Sequence, residues 1–315
     1  MTTLDPAGRV VLPDLVFASP RKLPKAADLR GRVVVLDLAF AADGMGGPGF
    51  AKITGRFIKE LGARLARWVD HHDSDHHVDY RGDDRFVLHT KAEHGACPEI
   101  VTPELVRLTG PIDTIVAHFD LDGLYAAAKW ILGGAEPYPG ADDDARAVDT
   151  RVGTVSPRAQ LIDHALRVHY DDAVLKQRIV HWLVGGMKPG VQYESIVAAA
   201  GDFERQAAQA RTLAGAYVVD GGVALLHVPH GAPAFDKTEL LLLGQELARV
   251  AAVVDGTTVN IAAGFESGLN FVTLLGLGGG MPTRVSVPAS RLNDVLAKIR
   301  GALRERDASD QSSQT

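Results

Sequence analysis

The feature that most constrains the fold is the segment at residues 113–134, DTIVAHFDLDGLYAAAKWILGG, which joins an apolar run to acidic residues. Residues 114–117 are nearly continuously apolar, which is typical of a strand buried on both faces of a parallel sheet. Residues 124–132 have the pattern of a helix. Between the two lie an imidazole and two carboxylates, followed by a glycine: His118, Asp120, Asp122 and Gly123.

The position of these polar residues predicts a ligand site. In α/β proteins, ligands bind at the carboxyl ends of the parallel strands. Two carboxylates one residue apart, with an imidazole two residues before them, supply oxygen and nitrogen ligands for divalent metals. A single DxDG motif is equally compatible with a solvated turn between a strand and a helix.

Length and charge restrict the class of protein. A chain of 315 residues is long enough for two domains. Its formal net charge of −6 argues against a large binding surface for long nucleic acid. The single cysteine, Cys97, excludes an internal disulfide framework. We find neither a signal-peptide pattern nor an apolar run of membrane-spanning length, so we expect a cytoplasmic protein with no membrane partner.

A second polar cluster occurs at residues 70–77, which read DHHDSDHH. Histidine and carboxylate are ligands of transition metals and of Mn²⁺. A polar loop is the alternative for such a cluster taken by itself. The cluster follows a predicted strand at residues 63–69, and Asp37 follows another at residues 32–36. Since parallel strands end at one edge of a sheet, the polar residues after them can meet in one site.

The remaining pattern predicts a helical stretch followed by a second α/β unit. A polar loop is predicted at residues 138–148, leading to Asp149, and a long helix at residues 194–213. Two further helices are predicted before this long one, at residues 157–169 and 171–184. In the second unit we predict strands at residues 216–219, 223–226, 259–263, 271–275 and 284–287, and helices at 238–250 and 291–303.

Four motifs together resemble those of the DHH phosphoesterase superfamily, whose members include RecJ-like exonucleases, cyclic-dinucleotide phosphodiesterases and family II pyrophosphatases. The segments are AHFDLDG, VVVLDLAF, WVDHH and AVDTRVG. In the family the DxD motif comes first, whereas here it follows DHH, so the motif order resembles a circular permutation within the first domain.

A glycine-rich segment in the second half resembles the DHH-associated domain of the phosphodiesterase branch. The segment ESGLNFVTLLGLGGGMPTRVSVP contains Gly278, Gly279 and Gly280, whose backbone amides can approach a phosphate. Met281 stands where the family usually has histidine, and Arg284 is a substitute for that contact. A tight turn between strands is the alternative for three glycines. The segment argues against the pyrophosphatase branch.

The FDLDG sequence also resembles the haloacid-dehalogenase-like phosphatases, in which the first aspartate is a nucleophile. Those chains normally continue with threonine or valine, whereas this one continues with Leu124. That family gives no reason for WVDHH or for the glycine-rich segment. The DHH resemblance therefore explains more of the chain.

The DHH resemblance implies two divalent ions, with Mn²⁺ as the first choice and Mg²⁺ or Co²⁺ as alternatives. The implied metal ligands are Asp37, His71, His118, Asp120, Asp122 and Asp149. Among these, Asp37 bridges the two ions. His72 contacts the scissile phosphate, and Asp70 orients an imidazole.

Two groups of acidic and imidazole residues have no counterpart in this scheme. The first comprises Asp73, Asp75, His76 and His77. The second, residues 142–144, is interpreted as a solvated acidic loop.

We therefore predict an α/β fold with a parallel-sheet N-terminal domain, a smaller α/β C-terminal domain and a cleft between them. The predicted parts are a DHH-like catalytic domain (residues 1–186), a helical linker (187–213), a DHH-associated substrate-binding domain (214–304) and a disordered tail (305–315).

The predicted function is a metal-dependent phosphodiesterase or exonuclease that cleaves short oligonucleotides or dinucleotides to nucleoside monophosphates. The predicted catalytic residues are Asp37, His71, His72 and Asp122, and the predicted substrate-binding residues are His72, Gly278, Gly279, Gly280 and Arg284. The alternatives are a non-catalytic nucleotide-binding or sensing protein and a haloacid-dehalogenase-like phosphatase. A homodimer is compatible with the sequence.

Overall fold

A computed structural model describes residues 3–4, 10–43 and 48–312 of the chain. The described residues divide into two compact units. The first contains residues 3–4, 10–42 and 48–203, and the second contains residue 43 and residues 204–312.

The first unit is built on a parallel sheet of five strands. In chain order these are β1 (Asp14–Ala18), β2 (Val33–Leu36), β3 (Leu65–Asp70), β4 (Phe86–Leu88) and β5 (Thr114–His118). Their order in the sheet is β1-β5-β2-β3-β4, and every neighbouring pair is parallel. All four residues of β2 are buried, as its continuous apolar sequence requires.

Helices cover this sheet. They are α1 (Thr54–Leu61), α2 (Pro103–Thr109), α3 (Leu121–Ile131), α4 (Ala141–Thr150), α5 (Pro157–Val168), α6 (Ala173–Val184) and α7 (Val191–Ala200). The largest apolar cluster joins strand residues such as Val34 and Ile115 to Leu124 and Tyr125 of α3. Helix α3 is buried along almost its whole length, so the segment after β5 is fixed by packing.

The second unit contains a mixed sheet. Its strands are β6 (Val218–Asp220), β7 (Val223–His227), β8 (Val250–Asp255), β9 (Thr258–Ala263) and β10 (Arg284–Pro288), in the order β10-β9-β8-β7-β6. Strands β7 and β8 are parallel, and the other pairs are antiparallel. Its helices are α8 (Phe203–Ala214, which begins on the last residue of the first unit), α9 (Lys237–Leu247), α10 (Phe271–Leu275) and α11 (Leu292–Ser312).

Two-residue strands occur in both units, at Thr3–Leu4, Val10–Val11, Asp73–Ser74 and Gly279–Gly280.

The prediction of an α/β fold with a parallel sheet in the first unit and a smaller α/β second unit is confirmed. Two predictions in the intervening helical stretch are wrong. The polar loop predicted at residues 138–148 is largely helix α4, whose first turn carries three aspartates that favour a helix N-terminus. The long helix predicted at residues 194–213 is two helices, α7 and α8, because the chain turns at Gly201 and Asp202.

Three predictions in the second unit are also wrong. Residues 271–275 form helix α10, which Asn270 caps by accepting from the Thr273 amide at 3.0 Å, and which ends at Gly276 with a positive φ. Helix α9 ends at Leu247, and Val250 begins the unpredicted central strand β8. Helix α11 continues to Ser312, so residues 305–312 of the predicted disordered tail are helical, and the last three residues lie outside the described part.

None of the helices in the described ranges is both long and apolar enough to cross a bilayer.

Candidate metal centre

The candidate site lies at the carboxyl edge of the parallel sheet, where three neighbouring strands end. Strand β5 ends at His118, β2 ends one residue before Asp37, and β3 ends at Asp70. Because β5, β2 and β3 lie side by side and run in one direction, their ends share one edge. The sheet therefore brings these polar side chains together from distant parts of the sequence.

Asp37 is the buried carboxylate at the middle of this edge. Its backbone has a φ of 59°, in the left-handed region that residues other than glycine seldom adopt. Its amide donates a hydrogen bond to the carbonyl oxygen of Val69 at 2.9 Å. Within the described ranges neither carboxylate oxygen has a hydrogen bond of good geometry, although His71 Nε2 lies 3.1 Å from Oδ1. A buried carboxylate in this condition is suited to hold a cation.

His71 is oriented as a metal ligand. Its Nδ1 lies 2.9 Å from the carbonyl oxygen of His94, to which it donates as Nδ1–H. Its Nε2 then faces Asp37 Oδ1 at 3.1 Å, Asp122 Oδ2 at 3.3 Å and Asp149 Oδ2 at 3.8 Å. A carbonyl that fixes one ring nitrogen leaves the other as the coordinating atom, which is the usual arrangement of a ligating histidine.

His118 and Asp120 stand together where β5 turns into α3. His118 Nδ1 lies 2.7 Å from Asp120 Oδ2 and 3.5 Å from Asp37 Oδ2. Asp120 also caps α3, because its Oδ1 accepts from the Gly123 amide at 3.3 Å. A Cβ atom at Gly123 would lie 2.5 Å from the carbonyl oxygen of His118. The glycine of the DxDG motif therefore allows the helix to begin directly against the strand end.

Two further carboxylates come from helices. Asp122 lies in the first turn of α3, is almost fully buried, and accepts from the Cys97 amide at 3.3 Å. Asp149 lies in the last turn of α4. The expectation that the ligands mostly follow strand ends therefore does not extend to Asp149, which reaches the site from a helix.

Ligand atoms of the described residues form three groups in which all atoms lie within 4.8 Å of one another. The groups are Asp37–His71–His72, Asp37–His118–Asp120 and His71–Asp122–Asp149. All six sequence-predicted ligands belong to them, and Asp37 and His71 are each shared by two groups. Carboxylate oxygens and imidazole nitrogens suit divalent transition-metal ions, among them Mn²⁺. The residues fit such an ion, since both carboxylate oxygens of Asp37, the residue shared by two groups, are buried without a hydrogen bond of good geometry in the described chain.

The proton equilibria of the centre reflect burial and crowded charge. Burial, together with the charges of Asp122 and Asp120, raises the pKa of Asp37 to about 6, against neighbouring imidazoles that lower it. Burial and the ammonium of Lys91 lower the pKa of His71, but its contacts with Asp122 and Asp37 outweigh them and raise that pKa to about 10. The surroundings of Asp37 and His71 therefore favour a proton or another cation between the carboxylates and the imidazoles.

Asp70 and His72 form a buried pair beside the three groups. Asp70 Oδ1 lies 2.8 Å from His72 Nδ1, and the Asp70 side chain is fully buried. Burial would raise the pKa of Asp70, but the charge of His72 and its hydrogen bond lower it below the usual value. This bond holds the imidazole through Nδ1, so Nε2 is the ring atom that Asp70 does not engage.

The sequence interpretation missed Lys91, which is buried inside the centre. Its Nζ contacts Asp149 Oδ2 and lies 3.2 Å from His71 Nε2. Burial lowers the pKa of Lys91, although the charges of Asp122 and Asp37 raise it. A signal was present, because Lys91 follows the end of β4, the strand next to β3, at the same edge of the sheet.

The second half of the DHHDSDHH segment is held by aromatic packing. The ring of His76 stacks on Phe50 with centroids 3.9 Å apart, and His77 packs edge-on against Phe40 at 5.2 Å. Burial lowers the pKa of His77. Of the two remaining carboxylates of this segment, Asp73 is half-buried and Asp75 is exposed.

The interpretation of residues 142–144 as a solvated loop is wrong. They form the first turn of α4. Asp144 is buried and accepts from the Tyr138 hydroxyl at 2.7 Å, and Asp142 pairs with Lys129. These aspartates stabilise the structure around α4 and belong to none of the three metal groups.

The sequence-predicted phosphate-binding residues lie in the second unit. Gly278, Gly279 and Gly280 have φ angles of 67°, 155° and 122°, which residues with a Cβ atom seldom adopt. Arg284 is the exposed first residue of β10 and donates from Nη2 to Thr238 Oγ1 at 3.0 Å. The three metal groups all lie in the first unit.

No family model and no curated protein matches the chain. Among solved structures, it is similar to the pGpG-specific phosphodiesterase PggH from Vibrio cholerae, with 9% identity and a TM-score of 0.43 over 88% of this chain and 99% of that one. It is also similar to the exonuclease RecJ bound to manganese, with 13% identity and a TM-score of 0.40 over 86% and 75% of the two chains. The function proposed below rests on the site of this chain.

Proposed function

We propose that this protein is a metal-dependent phosphodiesterase of the DHH phosphoesterase type. It would hydrolyse short oligonucleotides or dinucleotides to nucleoside monophosphates. The observation that supports this most is that three adjoining groups of ligand atoms share Asp37 and His71 at one sheet edge. Groups that share ligands suit two neighbouring divalent ions, the arrangement used for in-line displacement at phosphorus.

We assign one ion to each of two metal groups. Asp37, His118 and Asp120 would hold one ion, and His71, Asp122 and Asp149 would hold the other. Bound divalent ions supply Lewis-acid stabilisation of phosphate charge and lower the pKa of water. We propose Mn²⁺ because the site mixes imidazole with carboxylate.

His72 and Asp70 are proposed to act on the substrate. Asp70 holds the imidazole through Nδ1 at 2.8 Å, which fixes the direction of Nε2. In its protonated form, His72 would donate Nε2–H to an oxygen of the scissile phosphate. Such a charge-assisted hydrogen bond is stronger than a neutral one and would also orient the phosphate.

The second unit is proposed to hold the other end of a short substrate. Gly278, Gly279 and Gly280 offer backbone amides with little steric hindrance, and Arg284 offers a guanidinium. A formal net charge of −6 does not favour a long nucleic-acid track.

The experiment is incubation of the full chain with Mn²⁺ and a panel of labelled substrates. The panel contains linear and cyclic dinucleotides, short RNA, short DNA and inorganic pyrophosphate. We expect nucleoside monophosphates from a linear dinucleotide or a short oligonucleotide, and no product in the presence of a chelator. Hydrolysis of pyrophosphate alone, or hydrolysis that persists after the metal is removed, would refute the proposal.

A further inference from the structure

The third metal group already contains a cation that belongs to the chain. The Nζ atom of Lys91 contacts Asp149 Oδ2 and lies 3.2 Å from His71 Nε2, and both atoms belong to the group of His71, Asp122 and Asp149. The Lys91 side chain is 1% exposed, so its ammonium is surrounded by protein.

The loop between β4 and α2 fixes the lysine in this position. The His89 amide donates to the Asp70 carbonyl oxygen at 2.9 Å, which joins the start of the loop to β3. Glu93 accepts from the Thr90 amide at 2.7 Å and from its hydroxyl at 2.9 Å. The same loop supplies the His94 carbonyl that accepts from His71 Nδ1. The residues that orient His71 as a ligand therefore also hold Lys91 against it.

Electrostatic repulsion disfavours the simultaneous presence of the Lys91 ammonium and a divalent ion in this group. A buried ammonium is tolerated only where carboxylates compensate its charge, and Asp149 does so here together with Asp122 and Asp37. A divalent ion that coordinates Asp149 and His71 needs the same two atoms that the ammonium lies against, Asp149 Oδ2 and His71 Nε2. Two cations in one buried pocket repel strongly because the local dielectric constant is low.

We propose that the Lys91 ammonium competes with a divalent ion for the group of His71, Asp122 and Asp149. The two ions of the centre would therefore bind in order. The first occupies Asp37, His118 and Asp120, and the second binds only when Lys91 withdraws from Asp149. The inference rests on the metal centre of the proposed function and adds to it a built-in regulator of the second ion.

The test is a Mn²⁺ titration of the full chain, by calorimetry and by equilibrium dialysis with metal analysis. We expect two steps in the wild type, the second weaker than the first. In Lys91→Met the second step should strengthen by about tenfold or more, because the competing positive charge is removed, while the first step stays unchanged. In Lys91→Arg the second step should stay weak because the charge is retained. Identical isotherms for the wild type and Lys91→Met would overturn the proposal.

Lys176→Met is the matched control. Lys176 is also buried in the first unit, but its Nζ donates to the carbonyl oxygen of Tyr170 and lies 5.2 Å from the centroid of the Phe119 ring, and neither of these residues belongs to a metal group. We expect its titration to match the wild type. An equal strengthening of the second step in both variants would overturn the proposal, since a general effect of losing a buried lysine would then explain the result.

A measurement on the wild type covers the case in which Lys91→Met does not fold. Acetylation of lysines by acetic anhydride, followed by mass spectrometry, reports whether Lys91 is accessible. We expect Lys91 to be protected without Mn²⁺ and after the first step, and to become reactive with the second. Continued protection at saturating Mn²⁺ would overturn the proposal.

The outcomes separate this inference from the proposed function. Ordered binding that depends on Lys91, without hydrolysis of any substrate in the panel, would refute the function and support the inference. Hydrolysis together with isotherms that do not depend on Lys91 would refute the inference alone. A chain that binds no Mn²⁺ would refute both.

Discussion

The amide of Asp37 donates a hydrogen bond to the carbonyl oxygen of Val69 at 2.9 Å, which extends the pairing of β2 with β3 one residue beyond the end of β2. This bond holds Asp37 at a φ of 59° and keeps its carboxylate buried between two imidazoles. A strained backbone and a fully buried carboxylate are costs that the fold tolerates at functional sites.

We therefore expect Asp37→Asn to stabilise the metal-free protein while abolishing its metal binding. The amide carries no charge to bury, and asparagine tolerates the left-handed conformation, so the gain should be about 1–3 kcal/mol in the free energy of unfolding. The measurement is urea denaturation at pH 8 with a chelator. Asp37→Ala provides the comparison, because alanine in that conformation costs about 1–2 kcal/mol and should offset the gain. Destabilisation of Asp37→Asn without metal would contradict this account.

Asp122→Asn should lose bound metal and hydrolysis together. Asp122 lies 3.3 Å from His71 Nε2, and an amide is a poorer ligand than a carboxylate. We expect metal affinity and activity each to fall by about 10–100-fold or more. Asp143→Asn is the control, since Asp143 is exposed on α4 and lies outside the metal groups. If the proposed function is right, water is the nucleophile, and no phosphorylated Asp120 should be trapped during turnover. A phospho-aspartate at this position would instead identify a haloacid-dehalogenase-like phosphatase.

Gly123→Ala should displace the start of α3. Its Cβ atom would lie 2.5 Å from the His118 carbonyl oxygen, a backbone atom that cannot move aside alone. We expect destabilisation of about 1–3 kcal/mol, as for other overpacked sites, and weaker Mn²⁺ binding. Gly301→Ala is the contrast, because Gly301 lies inside α11 with nothing within 4 Å of the added Cβ atom. That change should stabilise by about 0.5–1 kcal/mol. Thermal denaturation of the two variants decides whether the close approach matters.

His77 should make stability depend on pH below neutrality. Burial lowers its pKa in the folded protein beneath the ordinary value of 6.5, so the unfolded chain binds a proton first as the pH falls. The free energy of unfolding should therefore decrease as the pH falls below about 6.5. The loss should be smaller in His77→Gln than in the wild type. His181→Gln, a change at an exposed residue of α6, should leave the pH profile unaltered. Equal profiles for the wild type and His77→Gln would show that burial of this imidazole has no effect.

Substrate length should govern the rate of cleavage. We expect di- to pentanucleotides to be cleaved faster than long single strands, with weak dependence on salt, because few phosphates are bound. Arg284→Ala should remove this preference, whereas Arg249→Ala, which breaks an exposed ion pair with Asp307 in the same unit, should not. The measurement is rate against length at two salt concentrations. Faster cleavage of long strands with steep inhibition by salt would indicate a processive exonuclease.

The parallel sheet and the meeting of most candidate ligands at its edge follow from the local sequence pattern. The apolar residues of β2 and β5 specify strands buried on both faces. A residue that suits metal binding directly follows β2, Asp37, and another ends β5, His118. Parallel strands end at one edge, so these residues had to approach one another once both strands joined the same sheet. Local pattern is sufficient here because burial and chain direction follow from the strand sequences.

Long-range contacts, in contrast, set which elements the ambiguous segments form and which residues lie beside the candidate ligands. Residues 271–275 and β8 are both short apolar runs, and periodicity cannot distinguish a strand from a buried helix over so few residues. Asp149 reaches the site because α4 packs against α3, and Lys91 does so because the loop after β4 is anchored to β3. These placements depend on contacts between residues far apart in the chain, which no local pattern encodes.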